Sequence, residues 1–209
     1  MKKKIIITGG LGYIGTELCK IYSGYSWNDN IIVFDNRFIS ERVNQLRNWN
    51  IDFIHGDILD KELVKKVFSD ANIVHHLAGI TDVPRTKSES NINNDEKIKK
   101  VAEIGTQNIL DVIPKNCKII MPSTHVIYEG LESVKENLDE ETEAKPVLSY
   151  GLSKFINENQ LKKSGKNYVI LRLGSVYGYS IDTARIDIMA NFFAKTTSQN
   201  GILNAWLPF

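Results

Sequence analysis

The chain has 209 residues, 42% of them hydrophobic, enough for one full domain with a sizeable core and part of another. Twenty-six basic residues balance 25 acidic ones, and this argues against general nucleic-acid binding, which needs a concentrated basic face. No run approaches the length of a membrane-spanning helix, and the apolar run after Lys2-Lys3-Lys4 stops after Ile7, too short for a signal core; a cytoplasmic soluble protein is the expectation.

In chain order, short β-rich runs alternate with helical patterns. Ile5 to Thr8 is a β-branched run that stops at a glycine pair, and Leu11 to Tyr22 then reads as a helix with Leu18 and Ile21 on one side. Cys19, in that segment, and Cys117 fit neither a metal spacing nor a disulfide framework and read as reduced core thiols. Ile31 to Phe34 is a second strand ending at Asp35, and Ile51 to His55 a third, ending at Gly56-Asp57. Asp60 reads as the N-cap of a helix carrying Leu63, Val64, Val67 and Phe68. Ile73 to Ala78 is a fourth strand. Its neighbours His75 and His76 point to opposite faces and cannot easily chelate one ion, and no metal site is expected.

The polar stretch Thr81 to Asp95 reads as a surface loop, and Ile98 to Val112 as a helix ending before Pro114. Lys118 to Met121 is a fifth strand, stopped by Pro122. Leu131 to Lys145 is acidic and aperiodic, a second loop; Ser149 to Leu161 is a helix and Tyr168 to Leu173 a sixth strand. Ala184 to Ala194 reads as one more helix. Continuous apolar strands separated by helices predict an α/β fold: a doubly wound parallel sheet covered on both faces, of the Rossmann type.

The strongest local signal is Thr8-Gly9-Gly10-Leu11-Gly12-Tyr13-Ile14-Gly15, which follows the first strand and opens the first helix. Gly10, Gly12 and Gly15 satisfy the Gly-x-Gly-x-x-Gly dinucleotide pattern, while Gly9, Gly12 and Gly15 satisfy a Gly-x-x-Gly-x-x-Gly variant. Such glycines permit a tight turn, a close approach of backbone to a pyrophosphate, and close packing of helix on sheet. The helix N-terminus offers N–H groups to the anion. Asp35 stands 20 residues beyond Gly15, where a carboxylate can accept hydrogen bonds from the adenosine ribose and repel a 2′-phosphate. NAD is therefore expected over NADP, a preference that Arg37 weakens because it could reach a 2′-phosphate.

Tyr150-Gly151-Leu152-Ser153-Lys154 places a phenol and an ammonium one helical turn apart on one face. A phenol with a pKa of about 10 is a poor base at neutral pH. A nearby lysine and a positive nicotinamide ring would lower it, making the pair a general base for an alcohol proton.

The glycine turn, the acid after the second strand, Ser123-Thr124 after the fifth and Tyr150-x-x-x-Lys154 occur in an order that resembles the extended short-chain dehydrogenase/reductase family. That family includes NAD-dependent nucleotide-sugar epimerases and dehydratases. Gly56-Asp57-Ile58, His76-Leu77-Ala78-Gly79, Gly105-Thr106, Pro146, and Leu171-Arg172 through Val176-Tyr177-Gly178 match as well. The resemblance implies that Gly9, Gly12 and Gly15, with the Tyr13-Ile14 backbone, hold the pyrophosphate of NAD. Asp35 and Asn36 would hold the adenosine ribose, Asp57 and Ile58 would flank the adenine, and Leu77, Ala78 and Gly79 would line the cleft. Thr124, Tyr150 and Lys154 would be the catalytic triad. Thr124 would bond the reacting hydroxyl, Tyr150 would take its proton, and Lys154 would bind the nicotinamide ribose. Ser175 falls where the family often has a substrate-touching Asn. The implied substrate is a nucleotide sugar, with two copies of the chain pairing through a helical face.

Related dehydratases carry Asp-Glu after the catalytic Thr. Here His125-Val126 follow, and a valine cannot exchange a proton. A 4-epimerase with reversible hydride transfer is expected; the alternatives are a nucleotide-sugar reductase or dehydrogenase and a non-catalytic NAD-binding module. His125 reads as a cleft-wall residue or a second acid/base. Two further departures are Ala102, where the family has Asn, and the interrupted Tyr128-Glu129-Gly130. The expected division is a cofactor domain over 1–178 and the start of a truncated C-terminal substrate lobe over 179–209.

Overall fold

The computed structural model describes residues 2–25, 29–81, 92–133, 135–180, 185, 188–199 and 201–202. Among these, β1 (Lys4–Thr8), β2 (Asn30–Asp35), β3 (Asp52–His55), β4 (Ile73–His76), β5 (Lys118–Thr124) and β6 (Asn167–Leu173) form one sheet in the order β3-β2-β1-β4-β5-β6. Every pairing is parallel. The expected doubly wound sheet is what forms. β1 is one of its two central strands: Ile5, Ile6 and Ile7 are almost completely buried, because a strand covered by helices on both faces has no polar side to offer.

The helices are α1 (Tyr13–Gly24), α2 (Ser40–Asn48), α3 (Lys61–Phe68), α4 (Ile92–Lys100), α5 (Thr106–Val112), α6 (Ser149–Lys163) and α7 (Met189–Ser198). Two apolar layers sandwich the sheet. One joins Ile6, Phe34, Val64, Phe68, Ile109, Ile119 and Met121 beneath α3 and α5. The other joins Ile5, Ile7, Leu11, Cys19, Val33, Val43 and Leu46 beneath α1 and α2. Both cysteines are buried free thiols; burial pushes Cys19 up to about 12 and Cys117 to about 11, so neither is a nucleophile at neutral pH. Asp60 caps α3 as expected, its side chain accepting the Leu63 N–H at 3.0 Å.

The sequence reading and the fold differ in four places. Helix α2 has no counterpart in the reading. β5 runs through Pro122 to Thr124 rather than stopping at Met121: its pairing with β4 ends at Ile120, so a missing N–H costs no bond on that side. The helix expected over 98–112 begins at Ile92, inside the stretch read as a loop, and contains a π-helical turn, Val101–Gly105. Residues 82–91 of that loop lie outside the described residues, as do 184, 186 and 187 of the helix expected over 184–194, where α7 starts at Met189 instead. No helix among the described residues is long and apolar enough to cross a membrane.

Candidate functional site

In a sheet of this order the chain reverses direction between β1 and β4, and the crevice at their carboxyl ends is where such folds bind ligands. The glycine turn lies at one side of this switch point. Gly9 has φ +67°, a left-handed conformation, and a Cβ there would lie 2.8 Å from the Ala78 backbone nitrogen. A Cβ on Gly15 would lie 2.6 Å from Gly10 Cα, so the first turn of α1 packs directly on the loop. The Gly12 N–H donates to Gly9 O at 3.0 Å, and Gly12 caps α1 with no side chain to cover the first-turn N–H groups of Tyr13 and Ile14. The result is a backbone-lined cradle at a helix N-terminus, which fits a pyrophosphate.

Asp35 ends β2 with its side chain only 3% exposed. Its Oδ2 accepts the Leu11 N–H at 3.0 Å, and its Oδ1 accepts the Arg37 backbone N–H at 3.0 Å and Arg37 Nε at 3.3 Å. Asn36 donates through Nδ2 to Asp57 Oδ2 at 3.1 Å, and Asp57 Oδ1 accepts the Leu59 N–H at 2.9 Å. Asp35, Asn36, Arg37 and Asp57 therefore form one corner. Ile58 is turned into the core: it is 5% exposed, and a Cβ on Gly105 would lie 2.3 Å from its Cδ1. Leu77 packs with the α1 layer.

On the other side of the switch point, Tyr150 and Lys154 lie on the first turns of α6. They line a water-sized cavity of about 10 Å³ with Ala78, Gly79, Ser153 and Asn157. Glycine turn, β4 exit and Tyr/Lys pair thus meet in one place: Ala78 touches Gly9 on one side and this cavity on the other. Lys154 Nζ donates to Pro122 O at 2.9 Å and lies 5.9 Å from the Tyr150 ring centroid. Burial pushes Lys154 down to about 8. Burial also pushes the Tyr150 phenol above its ordinary value, opposed by the Arg185 guanidinium. In this arrangement the Lys154 ammonium lies over the Tyr150 ring while it donates to the β5 carbonyl.

Thr124, 6% exposed, ends β5 and accepts the Val126 N–H at 3.2 Å, starting a 3-10 turn over His125–Tyr128. A Cβ on Gly151 would lie 3.2 Å from Val126 O, so α6 packs on this turn just past Tyr150. His125 Nδ1 bonds Leu173 O at 3.2 Å. Ser175 lines a separate recess of about 430 Å³ with Tyr177, Met189 and Phe193. His75 and His76 do face opposite ways: His75 Nε2 meets Tyr22 OH at 2.7 Å, and His76 sits between Thr8 and Thr106.

Several residues that hold the site were given no role by the sequence. Glu129, the interruption in Tyr128-Glu129-Gly130, accepts the Val147 and Leu148 N–H groups through Oε1 at 3.0 and 2.6 Å, fixing the entry to α6. Glu158, one turn beyond Lys154, is fully buried and held by a two-pronged Arg172 pair at 3.0 and 2.8 Å. Burial works to raise the Glu158 carboxyl, but Arg172 and Lys162 outweigh it and hold it below its ordinary value. Arg172 also reaches Tyr128 OH and Glu140 O, tying the acidic loop to the sheet.

Residues 5–202 match the NAD dependent epimerase/dehydratase family. The chain is 31% identical over 182 residues to a putative UDP-glucose 4-epimerase of Methanocaldococcus jannaschii, covering 83% of this chain and 56% of that protein. It is 32% identical over 205 residues to CDP-paratose 2-epimerase of Salmonella typhi, covering 84% and 58%. Among solved structures, UDP-glucuronic acid 4-epimerase of Bacillus cereus, in complex with UDP-glucuronic acid and NAD, superposes with a TM-score of 0.76 at 25% identity, covering 95% of this chain and 64% of that one. The chain thus spans somewhat over half the length of the curated relatives it matches. The match over nearly the whole sequence and the shared sheet place the chain in the NAD-dependent epimerase/dehydratase family.

Proposed function

We propose that this chain carries the cofactor site and acid–base machinery of an NAD-dependent nucleotide-sugar 4-epimerase. The observation that supports this best is the cavity in which Tyr150 and Lys154 meet Ala78 and Gly79, next to the glycine cradle. Gly9, Gly12 and Gly15 with the Tyr13-Ile14 backbone would hold the pyrophosphate, the Asp35–Asn36–Asp57 corner the adenosine, and Lys154 the nicotinamide ribose. When bound, NAD supplies a hydride acceptor that can return what it takes.

Thr124 would orient the sugar 4-hydroxyl, and Tyr150 would take its proton on oxidation at C4 and give a proton back on reduction at the opposite face. Because burial raises the Tyr150 phenol above its ordinary value, it needs added positive charge to act as a base. Arg185 supplies some, and a nicotinamide ring supplies more. His125-Val126 rather than an Asp-Glu pair follows Thr124, which favours epimerisation over dehydration.

Incubation with UDP-glucose and NAD, followed by proton NMR of the anomeric region, tests this. The reading predicts UDP-galactose with no net change in NADH absorbance. Tyr150→Phe should lower the rate by about 10²-fold or more while leaving NADH binding intact. Steady accumulation or consumption of NADH would replace the epimerase reading with a dehydrogenase or reductase.

A further inference from the structure

The corner at the end of β2 carries charges of both signs. A lone carboxylate at the end of the second strand favours NAD because it accepts bonds from the ribose hydroxyls and repels a 2′-phosphate. Here both Asp35 oxygens are already engaged by the protein: Oδ2 by the Leu11 N–H, with Arg37 Nη2 at 3.4 Å, and Oδ1 by Arg37 N and Nε. The Arg37 side chain remains 52% exposed against 3% for Asp35, so the guanidinium rather than the acid faces solvent. It points toward the cradle, its Nη2 lying 3.7 Å from where a Cβ on Gly12 would stand.

Arg42 joins the same corner, donating through Nη1 to Leu11 O. Asp57, bonded to Asn36, also accepts the Leu59 N–H. Arg37, paired with Asp35, and Arg42 thus both reach the corner beside Leu11. A guanidinium fork is well matched to a phosphate dianion.

Resting on the reading that a dinucleotide seats on the glycine cradle, we propose that Arg37, supported by Arg42, makes the adenosine end accept a 2′-phosphate, so that the site binds NADP as well as NAD. Arg37 is then the residue that sets cofactor preference, and Asp35 serves chiefly to hold the Arg37 guanidinium and the loop in place.

The test is a titration of the whole chain with NADH and with NADPH, followed by nicotinamide fluorescence, repeated for Arg37→Leu and Arg42→Gln. The proposal expects the two dissociation constants to agree within about tenfold. It also expects Arg37→Leu to weaken NADPH by about tenfold or more while changing NADH by less than about threefold. The Arg42→Gln variant should weaken NADPH in the same sense by a smaller factor. The NADH arm reports that each variant is folded. NADPH binding more than about tenfold weaker than NADH in the unaltered chain would overturn the proposal, as would equal loss of both ligands in Arg37→Leu. Failure of the unaltered chain to bind either nucleotide would overturn the cradle itself, and this inference with it.

Discussion

At the scale of single residues, the glycine cradle depends on backbone geometry that no other residue can copy. Gly9 combines a left-handed φ of +67° with a Cβ direction aimed at the Ala78 backbone, where nothing can give way. Gly9→Ala should cost about 1–3 kcal/mol of stability and move the loop off the β4 exit. Urea denaturation should show the lost stability and NADH titration the weakened binding; an alanine variant that binds NADH normally would contradict the role given to this turn. This part of the site was legible in the sequence because its demands are local: a tight turn needs glycine whatever the rest of the chain does. The role of Asp35 was only half legible. Its position was clear, but that Arg37 and the Leu11 N–H would occupy both its oxygens depends on a loop conformation that no spacing rule encodes.

At the scale of elements, α6 carries the proposed acid–base pair and is pinned from several sides. Tyr150, Lys154 and Glu158 recur at four-residue intervals; the first two meet the cleft and the third meets Arg172 beneath it. Removing one partner of a buried ion pair leaves a bare charge inside the protein. Glu158→Ala should therefore cost about 3 kcal/mol or more, measured as a shift in denaturant midpoint, and should loosen the acidic loop that Arg172 holds through Glu140 O. A near-neutral result would mean that the pair carries no weight.

A second set of bonds runs through the core. The Ala78 N–H donates to Thr8 Oγ1, which meets His76 Nδ1; His76 Nε2 meets Thr106 Oγ1, which accepts from Asn157 of α6. Burial, with the Lys154 charge adding to it, pushes His76 down to about 3. The unfolded chain takes up this proton below a pH of about 6.5, so the bound-proton difference favours unfolding and stability is lost as pH falls from there toward 3. His76→Gln should lose less stability than the parent between pH 7 and pH 4.5, as read by urea midpoints. Equal losses would show that His76 is not held neutral.

The same elements explain what the sequence did and did not reveal. The strands were legible because burial on both faces leaves continuous runs such as Ile5-Ile6-Ile7. Helix α2 was not: only Val43 and Leu46 are buried in it, too few to make a pattern. The π turn was invisible because its carbonyls are satisfied from elsewhere in the chain, Ala102 O by Asn157 Nδ2 and Glu103 O by Gln160 Nε2.

At the scale of the whole molecule, sheet order is what turns scattered motifs into a site. The glycine turn follows β1, Ala78 and Gly79 follow β4, and Thr124 ends β5. These segments are separated by tens of residues in sequence, yet they become neighbours because β1, β4 and β5 are adjacent and parallel. The account stands or falls on whether a dinucleotide bridges the cradle and the Tyr150–Lys154 cavity. A crystal structure of the chain grown with NAD tests this most directly. It should show the pyrophosphate on the first-turn N–H groups of α1 and the nicotinamide ribose hydroxyls about 3 Å from Lys154 Nζ. A dinucleotide bound elsewhere, with the Lys154 ammonium still on Pro122 O and no contact to the ribose, would contradict it.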